Sequence, residues 1–138
     1  MISRRCVAAS LLLMLCACAP ETRPRASATV RVDDFGDTMP SALKATRIVS
    51  LSPVTTELLF ALGAGDRVVG RTHWDSYPSE ARAVPDLGNG MQPNVEAVLG
   101  VRPDLVVLYA SASNRPAARR LRQAGVVTIA LHQDRVED

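Results

Sequence analysis

A chain of 138 residues is long enough for one small domain and too short for two. Lysine and arginine (16) nearly balance aspartate and glutamate (14); Arg4 and Arg5 account for the formal excess, so the segment after them is about neutral. Dispersed arginines, apart from Arg119, Arg120 and Arg122, and a single tryptophan argue against a nucleic-acid surface built on base stacking.

The first residues read as a leader rather than as fold. Met1 to Arg5 is basic, and Val7 to Leu15 is apolar but too short to span a bilayer comfortably. It ends in Leu15-Cys16-Ala17-Cys18, which resembles a bacterial lipoprotein signal. That resemblance implies a signal over residues 1–17, acylation of Cys18 and a lipid anchor at the extracytoplasmic face of a membrane. The alternative is a plain secretory signal cut near Ala19. Either way the exported part keeps no cysteine for a disulfide. Residues 18–45 read as a tether with a short lead-in: Val30-Arg31-Val32 alternates like an edge strand, and Asp33 to Asp37 is a turn.

Residues 47–70, RIVSLSPVTTELLFALGAGDRVVG, read as strand, helix, strand. Arg47 to Leu51 is short, β-branched and apolar, as a buried parallel strand should be. Pro53 breaks it. Thr55 or Thr56 is expected to cap a helix, with Glu57 in its first turn and Leu58, Leu59 and Leu62 at helical spacing. Gly63 and Gly65 stop the helix, and Arg67 to Gly70 is the next strand. A polar loop from Arg71 to Pro78 leads to a helical turn at Ser79 to Arg82. Val84 to Leu87 is extended, and Gly88-Asn89-Gly90 is a turn that can bring backbone close to a ligand. Asn94 caps a helix over Val95 to Gly100. Leu105 to Leu108 is a third strand, Arg115 to Ala124 an amphipathic helix with Leu121 inward and the arginines outward, and Val126 to Leu131 a fourth strand. Alternating helices and continuous apolar strands predict an α/β fold, a Rossmann-like parallel sheet with flanking helices, whose binding end lies beyond the strand C-termini.

Several stretches carry a family resemblance: R-I-V-S-L-S-P from Arg47, T-E-L-L-F-A-L-G from Thr56, D-R-V-V-G from Asp66, Ser76-Tyr77-Pro78, Pro93-Asn94-Val95-Glu96, and V-R-P-D-L-V-V from Val101. Residues 46–138 thus resemble the first lobe of the substrate-binding proteins of ABC importers for vitamin B12, ferric siderophores and haem. Members of that family have two such lobes joined by a long helix (the class III type), with ligand in the cleft between them. This chain ends where the joining helix would begin, at Val136-Glu137-Asp138, so the resemblance implies one lobe without its C-terminal partner.

The candidate ligand contacts sit on the loops after the strands. Ser52 and Thr55 lie at a strand-to-helix turn, where helix N-termini attract polar ligand edges; capping alone would explain them equally well. Trp74 in a polar loop suits a flat macrocycle, and the resemblance places an aromatic contact there in B12-binding members; packing against Tyr77 and Pro78 is the plainer reading. His73 could ligate cobalt or haem iron. Gly88 to Asn94 would form a further rim, with Asn89 and Gly90 as its candidate contacts, though B12-binding members often carry tryptophan at the position of Gly90. Tyr109 and Asn114 offer a hydroxyl and an amide. Glu96 matches the surface glutamate that the family presents to arginines of the membrane permease; a solvated first-turn glutamate is its plain reading.

No Gly-x-Ser-x-Gly, His-Glu-x-x-His or Cys-x-x-Cys is present, so no enzyme is expected. No resident cofactor or protein-bound metal is expected either. The expected partners are an ABC permease, a small metal chelate and the membrane, with no nucleic acid. The expected cargo is cobalamin or another corrinoid first, and a ferric siderophore or haem second. The alternative from another class is a non-binding relic with only a structural role.

Overall fold

The computed structural model describes residues 30–134. The expected leader, Cys18 and the last residues from Arg135 on lie outside them. Four strands, β1 (Ile48–Leu51), β2 (Val68–Gly70), β3 (Leu105–Tyr109) and β4 (Val127–Leu131), form one sheet in the order β2-β1-β3-β4. Every pairing is parallel. Three helices, α1 (Pro53–Ala61), α2 (Val95–Gly100) and α3 (Arg115–Gln123), connect them.

The strands are apolar because both faces are covered. On one face Val49, Leu51, Val106, Leu108 and Ala130 pack with Val95 and Val98 of α2 and Ala117, Ala118 and Leu121 of α3. Leu108 and Leu121 are wholly buried, worth about 1.5–3 kcal/mol each in apolar burial. On the other face Ile48, Leu105 and Val107 meet Leu59 of α1, while Val127, Ile129 and Leu131 are only half-buried there.

The N-terminus of α1 differs from the expectation. Ser52 is the N-cap residue, Pro53 opens the helix, and no side chain caps it. Proline fits this position because its fixed φ suits a first turn and its missing N–H would have no helical partner anyway. Thr55 and Thr56 are therefore inside the helix and buried, and Glu57 falls beyond the first turn. The leucines also divide differently. Leu59 faces the sheet, whereas Leu58 and Leu62 point to solvent. Asn94 does cap α2, its Oδ1 accepting from the Ala97 N–H at 3.0 Å.

The lead-in is packed onto the sheet. Val32 and Thr38 form an isolated antiparallel bridge around the expected turn. The buried Asp33 carboxylate accepts from the backbone N–H groups of Phe35 (3.0 Å), Asp37 (2.9 Å) and Ala130 (3.0 Å), and from Arg122 Nη2 (2.6 Å). Arg122 also pairs with Asp37. The Asp34 N–H donates to the Ala130 carbonyl at 3.0 Å, so this segment runs along the outer edge of β4.

At the N-terminal ends of the strands, Asp104 ties the start of β3 to the start of β1. Its carboxylate accepts from Thr46 N–H (2.8 Å), Thr46 Oγ1 (2.7 Å) and Arg47 N–H (3.1 Å). Burial pushes its pKa up, but the Thr46 and Arg47 hydrogen bonds together outweigh that and hold it below the ordinary carboxylate value. Arg47 completes the brace by donating to the carbonyls of Arg102 (3.0 Å) and Val101 (2.7 Å).

Candidate functional site

In this strand order the chain leaves β1 to one side for β2 and then returns across it to β3. Open parallel sheets bind ligands outside the strand C-termini at such a reversal. A depression of about 250 Å³ lies there, lined by Leu51, Ser52 and Pro53 after β1, Thr72 and Trp74 after β2, Asn89 to Met91, and Tyr109 at the end of β3. A larger hollow of about 460 Å³ runs along the outer half of α1 by Glu57, Phe60, Tyr77 and Glu80. It lies away from the strand ends, so position in the fold favours the smaller one.

Ser52, Trp74, Asn89, Gly90 and Tyr109 thus line one concavity, as a set of ligand contacts would. Trp74 is 67% exposed on its rim, and the His73 ring lies 4.4 Å from it, tilted by 54°. His73 is exposed but is not among the lining residues. Gly90 is buried, and its place explains its identity. A Cβ there would come within 2.3 Å of the Leu51 carbonyl oxygen and 2.8 Å of Thr72 Cγ2. The close approach expected of this turn is made to the chain's own β1 and the loop after β2.

Asn114 lies beneath the surface. It is fully buried, and its Nδ2 donates to the carbonyls of Gly90 and Tyr109, both at 3.0 Å. Its amide joins two walls of the depression, while Oδ1 has no hydrogen-bond partner. Thr55 is likewise buried, and its hydroxyl accepts from Gln133 Nε2, while Ser52 Oγ donates to Gln133 Oε1. Gln133, just past β4, thus engages both hydroxyls expected to meet a ligand. Nothing in its sequence surroundings marked it, because the contact spans the sheet. Tyr109 Oη donates to Asp134 at 2.9 Å, and that hydrogen bond, with desolvation and the nearby negative charge, raises the phenol pKa above its ordinary value. Met91, inside the rim expected from Gly88 to Asn94 but not singled out there, is a further lining residue.

Beneath the tryptophan loop lies a buried carboxylate. Asp75, 1% exposed, accepts from Thr56 Oγ1 of α1 (2.6 Å), Thr72 Oγ1 (2.5 Å) and Thr72 N–H (3.1 Å). Among the described residues no group of three or more histidine, cysteine or acidic side chains is placed to hold a metal ion. Glu96 is exposed on the first turn of α2.

A parallel sheet with a concavity beyond β1 and β3 defines the chain as an open α/β fold, the kind that places sites at its strand ends. The chain belongs to the periplasmic binding protein family, whose model matches residues 48–138. The "Uncharacterized ABC transporter substrate-binding lipoprotein YvrC" of Bacillus subtilis is 41% identical over 88 residues, 62% of this chain and 28% of that protein. The vitamin B12-binding protein of Yersinia pestis is 33% identical over 103 residues, 75% of this chain and 36% of that one. The solved apo structure of the periplasmic heme-binding protein RhuT from Roseiflexus sp. RS-1 superposes with a TM-score of 0.60 at 32% identity, over 64% of this chain and 34% of that one. The chain therefore spans about a third of the length of these relatives. The family is one of solute-binding proteins, in keeping with the expectation of no enzymatic chemistry.

Proposed function

We propose that this chain supplies the first lobe of an ABC importer's substrate-binding protein, and that its depression takes one face of a flat, chelated metal macrocycle. The observation that carries this is Trp74, two-thirds exposed on the rim of a largely apolar concavity at the strand C-termini. Exposed tryptophan is poorly explained by packing and well suited to stacking on a ring system. Ser52, Asn89, Gly90 and Tyr109 would border the ligand, with Thr55 and Asn114 shaping the walls from behind. A corrinoid is the first cargo. Haem is the second, favoured by the histidine ring beside Trp74; a ferric siderophore is the remaining choice. Anchoring through Cys18 at the extracytoplasmic face and docking of Glu96 on a permease complete the proposal.

Trp74 is the single tryptophan, so its fluorescence reports the site directly. Titration with cyanocobalamin, haemin and a ferric hydroxamate should quench it saturably for one of the three. Trp74→Ala should weaken that ligand's binding by roughly 1–3 kcal/mol, as loss of an aromatic anchor does. Absence of saturable quenching by all three, or full-strength binding by the mutant, would refute the reading and favour a non-binding structural role.

A further inference from the structure

We infer that Asp75 is a positioning residue for the ligand-facing tryptophan, a single buried carboxylate that fixes the Trp74 loop against the first half of α1. The inference rests on the reading of Trp74 as a ligand contact. Because Trp74 is mostly exposed, side-chain packing cannot set its direction; its ring contact is with the adjacent His73. The direction must come from the backbone of residues 72–75. That backbone is held by a closed set of bonds. Asp75 takes both the N–H and the hydroxyl of Thr72, the Asp75 N–H returns to the Thr72 carbonyl at 3.1 Å, and the Trp74 N–H reaches Thr72 Oγ1 at 3.3 Å. The third donor, Thr56 Oγ1, comes from α1, whose first residue, Pro53, also lines the depression.

The chemistry of this cluster is wrong for mere packing. A buried carboxylate with no ion-pair partner among the described residues is costly unless its lone pairs are filled, and an apolar side chain of similar size would stabilise the same space with less desolvation. What the carboxylate adds is direction. Three donors from two elements converge on two oxygens, so loop and helix are locked at one relative setting. An asparagine could keep the set, its Oδ1 accepting from the Thr56 hydroxyl and the Thr72 N–H while Nδ2 donates to Thr72 Oγ1, so the role is tested by removing the carboxylate outright.

Three variants of the full chain test this: Asp75→Ala, Thr72→Val and the conservative Thr72→Ser. The first readout needs no ligand. Steady-state anisotropy and iodide quenching of Trp74 should show a freer, more accessible ring in Asp75→Ala and Thr72→Val and an unchanged one in Thr72→Ser. The second is affinity for cyanocobalamin or haemin, whichever the wild-type chain binds, which should fall tenfold or more in the first two variants and not in the third. Circular dichroism and thermal melting establish that each variant is folded; if Asp75→Ala is not, Thr72→Val carries the test. Unchanged Trp74 anisotropy in a folded Thr72→Val or Asp75→Ala protein overturns the positioning role, whatever happens to the melting temperature. A wild-type chain that binds neither probe overturns the ligand reading instead, and the anisotropy comparison still decides what Asp75 does.

Discussion

Gly90 shows how one backbone position can hold a site together. Leu51 and Thr72 close in on it from β1 and the loop after β2, and the Asn114 amide holds its carbonyl from the α3 side. Gly90→Ala should therefore lower stability by about 1–3 kcal/mol, the usual range for overpacking, read as a shift in a urea midpoint at unchanged slope. The turn at Gly88 to Gly90 was legible from glycine and asparagine alone. What it approaches was not, because residues 51 and 72 reach it only through the sheet. Asp104 gives a residue-scale prediction in pH. Its folded pKa is depressed, so its contribution is present above the ordinary carboxylate value of 3.8 and is lost as pH falls through the lower folded value. Acid denaturation of Asp104→Asn should lack that part of the slope below about pH 4 while keeping the rest. An unaltered acid limb would mean that the Thr46 and Arg47 bonds do not persist in solution. The P-D-L tripeptide could be read as punctuation before a strand; its brace to Arg47, 57 residues earlier, could not.

Among the elements, α1 departs most from what its sequence suggests. Its leucines follow helical spacing, yet they do not form one inward face. The inward positions hold Thr55, Thr56 and Leu59, and the threonines are there because Asp75 and Gln133 need their hydroxyls. Val54, Leu58 and Leu62 are consequently 46%, 56% and 79% exposed along the outside, four residues apart. Helical periodicity locates a helix well but cannot choose its face when apolar residues lie on every side and buried threonines share the inward one. Leu58→Lys with Leu62→Lys should change unfolding free energy by no more than about 0.5 kcal/mol, since surface replacements away from special features do little. The pair should raise the concentration at which the chain aggregates, as measured by light scattering. A large loss of stability would place those side chains inside a packed surface. In contrast, α3 was legible in outline: Leu121 is buried and Arg119 and Arg120 are exposed, because its polar and apolar residues alternate with a clear period, but Arg122, expected outward with them, turns to the buried Asp33 and the Thr128 carbonyl.

For the molecule as a whole, alternation of strand and helix foretold the parallel sheet, and the family match agrees. The strand order did not follow from alternation; it is set by which loop folds back across β1. That order places the tryptophan loop and the end of β3 on one rim, while Glu96 stands apart on α2 and is not among the residues lining the depression. The separation makes a prediction about a complete receptor that contains this lobe. Glu96→Ala should leave ligand affinity within twofold of wild type and weaken uptake through a reconstituted permease. Uptake at the wild-type rate would remove Glu96 from docking, and a loss of affinity would show that the two surfaces are not independent.

The segment ahead of the sheet has a mechanical consequence. Asp33 and Asp34 grip β4 and Arg122, so the leading segment lies alongside the outermost strand of the sheet. Tension arriving along the leading residues would meet the outermost strand and an ion-paired clasp, loaded in shear. Neither β1 nor β2 lies on that path, so a domain suspended from its front end could be tugged about while the hollow beside Trp74 kept its shape.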